Sequence, residues 1–139
     1  MTLKDLRPGL RAFLLPDAQI SAMVGGERVH GVKLPAGIMV GPSIVYSQIS
    51  ETTDHTMDGP SGLVTSRYQF DAWAESSDEA HRLGFLVKDR LDGYRGPMGS
   101  DDTLVEVQGV FAEDARANYD SNADLHRLSR DFFIAHEER

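Results

Sequence analysis

The chain opens on an amphipathic pattern. Leu3, Leu6, Leu10, Phe13 and Leu14 recur at helical spacing and so fall on one apolar stripe. Proline is tolerated in a first helical turn, so Pro8 is compatible with a helix starting near Asp5 or Leu6, and Pro16 ends it. Asp17 stands where a cap would begin a second short helix through Met23, with Ile20 and Met23 inward. Gly25 and Gly26 close that helix, because glycine takes the left-handed cap conformation without a Cβ clash. Val29 and Val32 suggest a short edge strand, after which Pro35, Gly37, Gly41 and Pro42 disfavour regular structure.

Strand periodicity then takes over. Residues 43–50 are rich in β-branched side chains and predict a strand. A second strand spans Leu63–Ala74, where Tyr68, Phe70 and Ala72 alternate with Arg67, Gln69, Asp71 and Trp73, giving one buried and one polar face. Between them, residues 51–62 are polar, acidic and turn-rich. They read as a loop that is long beside ordinary hairpin connections of about 2–5 residues.

Ser76 followed by Glu79 has the capping-box spacing and opens the longest helix. Its apolar stripe is Ala80, Leu83, Gly84, Val87 and Leu91, and Gly93 supplies the C-terminal cap. Residues 94–102 form a connection. Two more strands follow. Leu104–Phe111 turns Val105, Val107 and Phe111 inward, and Leu125–His136 turns Leu128, Phe132 and Ile134 inward against Arg127, Ser129 and Asp131. Residues 112–124 read as a second long acidic connection. The architecture predicted is one α+β domain over residues 1–139, a four-stranded antiparallel sheet with two main helices on one face. The opposite face, with Arg67, Gln69, Asp71, Trp73, Glu106 and Arg127, meets water or another subunit.

Composition narrows the chemistry. There is no cysteine, so disulfides, thiolate metal sites and cysteine nucleophiles are excluded. No apolar run is long enough for a membrane helix, and the broken apolar pattern at the start is unlike a signal peptide. The net charge of −8 argues against direct affinity for nucleic acid. The charge is uneven: residues 1–34 carry five basic and three acidic groups, whereas residues 35–139 carry nine basic and nineteen acidic ones. The acidic part reads either as a solvated surface or as one that contacts an unlike neighbour or repels DNA.

The candidate reactive groups are better explained as structure. The five histidines include no pair at the i, i+4 spacing of a zinc helix. Asp54, His55 and Asp58 have the right donor types for a metal, but a polar turn explains them more simply. The stretch Gly59-Pro60-Ser61-Gly62 lacks nucleophile-elbow spacing, and neither Gly25-Gly26 nor Gly93–Gly96 carries a Walker lysine or a dinucleotide pattern. Asp101-Asp102 and Glu113-Asp114 read as solvated loops. Neither a catalytic residue, a metal nor a cofactor is expected. Trp73, the one tryptophan, is either a covered sheet-edge aromatic or an interface anchor.

Several segments, in order, carry a family resemblance. They are Leu10-Arg11-Ala12-Phe13-Leu14-Leu15, the stretch from Gly25 to Pro35 with Arg28-Val29, and Pro42-Ser43-Ile44-Val45-Tyr46. Asp54-His55-Thr56-Met57-Asp58-Gly59-Pro60, Gln69-Phe70-Asp71-Ala72-Trp73-Ala74 and Arg130-Asp131-Phe132 complete the set. Together they resemble the phage tail completion (tail terminator) family of siphophages and gene transfer agents, over residues 3–136. The resemblance implies a virion protein assembled in the host cytoplasm. It would form a homohexameric ring at the head-proximal end of the tail tube and end tube polymerisation. The ring would contact tail tube protein and the head-tail connector or stopper, and DNA would pass through without specific binding. Within that picture Glu51, Asp54, His55, Met57 and Asp58 are candidates for the lumen or the tube. Trp73, Arg67, Asp71, Arg7 and Arg11 are candidates for the subunit interface. The alternatives are another neck component, such as a head-closure or adaptor subunit, or a small ligand-binding α+β domain built around His55.

Overall fold

The structure, a computed structural model, describes residues 4–31, 41–99 and 104–138. Leu3, Val32, Pro35, Gly37, Asp101 and Asp102 therefore lie outside the described residues. The elements run α1 (Arg7–Leu14), α2 (Ala18–Val24), β1 (Val29–Gly31), β2 (Ser43–Thr56), β3 (Gly59–Ala74), α3 (Ser77–Leu91), β4 (Gly96–Met98), β5 (Val105–Asp120) and β6 (Leu125–Glu137). The α+β class holds. The sheet, however, has six strands in the order β1-β2-β3-β6-β5-β4, not four. It is not wholly antiparallel either, because β1 pairs with β2 in parallel. The expected short edge strand is β1, but β4 lies inside what reads as a connection, since a three-residue strand of Gly, Pro and Met carries no periodicity.

Local chemistry places the helices where the pattern does. The Asp17 carboxylate accepts hydrogen bonds from the Gln19 and Ile20 amides, and Gly25 closes α2 at φ 63°. The Ser76 hydroxyl oxygen accepts from the Glu79 amide at 3.2 Å, and Gly93 takes φ 80° past the end of α3. The stripe Ala80, Leu83, Gly84, Val87 and Leu91 is buried. It packs with Leu10, Leu14, Ile20 and Val24 onto one sheet face bearing Ile44, Tyr46, Tyr68, Phe70, Phe132 and Ile134. Phe70 meets Phe132 edge to face, with ring centroids 5.4 Å apart, at the centre of that layer. At Gly84 α3 comes close to the sheet: a Cβ there would overlap the Leu128 side chain.

One inward assignment changes, and two outward residues are buried. Phe111 is exposed, not buried, because a bulge between Val107 and Gly109 inserts one residue and moves the following side chains to the other face, so that Val110 takes the core position. Ser129 and Asp131 do lie on the face away from the helices, yet both are buried. The long side chains beside them, described below, exclude the solvent.

The two long connections are the largest correction. Residues 51–62 are not a loop. β2 and β3 continue as an antiparallel ladder to the pair Thr56–Gly59, leaving only Met57 and Asp58 as the turn. Residues 112–124 likewise belong mostly to β5, and the turn is confined to residues 121–124.

Candidate assembly interface

The β2–β3 hairpin outgrows its sheet. β3 pairs with β6 only as far as Leu63 opposite Glu137. Beyond that pair the two strands continue alone as an arm. Its turn is tied by the Thr56 hydroxyl, which donates to the Gly59 carbonyl at 3.1 Å and accepts from the Asp58 amide at 3.3 Å. Gly59 takes φ 120°, a conformation that disfavours any Cβ. Glu51, Asp54, His55, Met57 and Asp58 are all exposed on this hairpin; the last four lie on the arm, whereas Glu51 stands opposite Ser66, where β6 still flanks β3. Among the described residues no three His, Asp or Glu side chains converge as a metal ligand set.

The second group sits elsewhere and divides. Arg7 is exposed and pairs with Asp5, whose carboxyl is held below its usual pKa chiefly by the hydrogen bond from Arg7. The Arg11 guanidinium donates to the Val29 and Glu27 carbonyls and so pins α1 to the approach of β1. Arg67, Asp71 and Trp73 share the sheet face away from the helices, as their alternation predicts.

That face has a centre which the sequence reading missed. The Asp131 carboxylate accepts from Arg67 through Nε at 3.0 Å and Nη2 at 2.5 Å, and from Arg116 Nη2 at 3.0 Å. The Asp131 side chain is 5% exposed, those of Arg67 and Arg116 38% and 43%. Burial alone would raise the Asp131 pKa. The hydrogen bonds from Arg67 and then Arg116 outweigh it, and the carboxyl stays below its ordinary value. Beside it Gln69 donates to Asp71 at 2.9 Å, and the Arg67 guanidinium lies 5.5 Å from the centre of the Phe133 ring. Arg116 escaped notice because its segment, Ala115–Tyr119, alternates small and polar residues with little β-propensity.

The far end of the sheet, opposite the arm, carries a recess of about 280 Å³ lined by Trp73, Asn118, Tyr119, Asp120, Ser121 and Arg127. The Arg127 guanidinium lies 5.2 Å from the centre of the Trp73 ring. Its Nε is buried and has no hydrogen-bond partner among the described residues. The turn closing the recess is self-contained. The Asp120 carboxylate accepts from the Asn122 and Ala123 amides, and the Tyr119 hydroxyl donates to Asp124 at 2.6 Å.

Taken together, the geometry offers unlike surfaces at the two ends of one sheet. Comparison with known proteins bears on what such surfaces serve. Residues 8–137 match the family described as tail completion protein gp17. No curated protein matches the chain. Among solved structures, a chain of "Virion of native gene transfer agent (GTA) particle" is similar in fold. Its TM-score is 0.72 at 21% identity, over 95% of this chain and 94% of that one.

Proposed function

The chain belongs to the tail completion protein family and is a structural component of the virion tail, and on that premise we propose that it ends the tail tube as a ring at the head-proximal end and presents the docking surface for the head connector. The observation that carries this reading is the family match, which spans 8–137 and thus every element of the fold. The geometry supports it physically. A ring needs a heterologous contact, one patch meeting a different patch under a rotation that closes. The acidic arm at one end of the sheet and the arginine- and tryptophan-bearing recess at the other are two such patches.

In this reading the ring is a homohexamer that touches tail tube protein below and connector or stopper protein above, and DNA passes through it without being held. Glu51 and Asp54, on β2 along the hairpin, then present repeated negative charge to the conduit or to the tube, and a negative wall repels DNA. No step of this role requires bond chemistry.

Deletion of the gene tests the reading. Loss of a terminator leaves overlong tubes, or tails that fail to join heads. Normal tails beside leaking heads would instead assign the chain to head closure and overturn the terminator reading.

A further inference from the structure

The two hairpin turns lie at opposite ends of the sheet, and their chemistry is complementary. At the arm tip, Met57 is exposed over its whole surface, at 105%. A methionine presented on a tied two-residue turn is an apolar group with nothing to cover it within the described chain. Asp58 is next to it, and Glu51 and Asp54 stand on the shaft behind.

At the other end, the recess offers the Trp73 ring with the Arg127 guanidinium against it. Its one carboxylate, Asp120, is engaged by its own turn, whereas among the described residues no carboxylate pairs with the Arg127 guanidinium that lies against Trp73.

We propose that the Met57–Asp58 tip of one copy docks in the Trp73–Arg127 recess of a second copy of this chain. The Met57 thioether packs against the Trp73 ring, a pairing that sulfur and aromatic edges favour. The Asp58 carboxylate accepts from Arg127. A second copy is the occupant because both halves of the contact, thioether with aromatic and acid with cation, stand on the same chain. Since the halves lie at opposite ends of one sheet, each copy uses its arm on one neighbour and its recess on the other. The inference rests on the ring reading and deepens it. Glu51 and Asp54 on the shaft remain outside the recess.

Trp73 is the sole tryptophan and lines the recess, so its fluorescence reports docking directly. As the purified chain is concentrated, its emission is expected to shift to the blue in step with assembly seen by native mass measurement. Met57→Ala should weaken that assembly about tenfold, as for a buried interface anchor. Asp58→Arg and Arg127→Asp should each abolish it, and the two together in one chain should restore it. Asp58 is at an exposed turn, so its reversal leaves the fold intact, and circular dichroism checks Arg127→Asp. Rings that form without a Trp73 response or charge-swap rescue would overturn the tip–recess contact and leave the ring reading standing. A Met57-dependent response that needs tail tube protein, and not a second copy, would move the tip to the tube and overturn it as well. A chain that stays monomeric at every concentration and with tail tube protein overturns both.

Discussion

Replacing Asp131 with Asn removes the charge at the centre of the polar sheet face while keeping its size. The carboxylate holds three hydrogen bonds from two arginines. A hydrogen bond to a charged group contributes roughly 1.5–3 kcal/mol when buried. Here the carboxylate is nearly dry, but the arginine side chains are 38% and 43% exposed, so water screens the outer half of each pair. Asn also retains one oxygen acceptor. A net loss of about 2 kcal/mol follows, read as a fall of roughly 1–2 M in the urea midpoint at pH 7. The pH dependence carries the stronger check. Asp131 has its pKa depressed in the folded state, so its contribution is present above the unfolded value of about 3.9 and is lost as pH falls through the lower folded value. The gap between the parent chain and Asp131→Asn should therefore be constant from pH 5 to pH 7 and shrink as the pH is lowered below about 4. A gap unchanged in acid would show that the substitution acts through packing, and would refute the assignment of a charged centre.

Three further outcomes follow from the same geometry. Gly84→Ala ought to gain about 1 kcal/mol of helix propensity, yet its Cβ overlaps Leu128. A net destabilisation of about 1–2 kcal/mol is expected. Leu128→Ala in the same chain should recover part of it, so additive losses in a double-mutant cycle would contradict the contact. Ser76→Ala removes the cap of α3 and should cost about 1 kcal/mol, a drop of roughly 3–5 °C in Tm by calorimetry, whereas no change would mean the cap bond is replaced by water. Glu51→Lys with Asp54→Lys should leave particle assembly intact and slow DNA ejection from particles followed with a DNA dye; unaltered ejection would argue against a shaft that faces the conduit.

Much of the fold is legible in the residues themselves because it depends on neighbours in sequence. The helix stripes, the Asp17 and Ser76 caps and the closing glycines are local devices, and each is found where its spacing puts it. The alternation of Tyr68, Phe70 and Ala72 with Arg67, Gln69 and Asp71 likewise sorts the two faces of β3 correctly. The arm is different. Glu51 and Asp54 are poor strand formers in a stretch that looks like a loop, and only the ladder from Glu51 opposite Ser66 to Thr56 opposite Gly59 makes them strand, with Asp58 in the turn beyond it. The same holds for Ala115–Tyr119, whose backbone is set by pairing with residues 126–130.

The site was therefore half visible. The five candidate residues are neighbours in sequence, and their placement on a hairpin that outruns the sheet depends on where β6 stops. Trp73 was recognisable as an aromatic on a polar face. Its partner Arg127 was placed on the same face, but the recess around them required Tyr119 from a segment taken for a connection. Asp131 is the sharpest case. Alternation puts it on the outer face, where a lone carboxylate would be solvated, and only the pairing of β5 with β6 brings Arg116 against it.

By itself, then, the sequence determined the α+β class, the helices with their ends, the inward face of most strands and the family to which the chain belongs. These follow from periodicity, local capping and the order of motifs. Strand count and length, the bulge that turns Phe111 outward, the buried Asp131 and the two unlike ends of the sheet were decided by tertiary structure. Each depends on which strand lies alongside and where that pairing ends, and hydrogen bonds between residues far apart in sequence leave little trace in the composition of either partner.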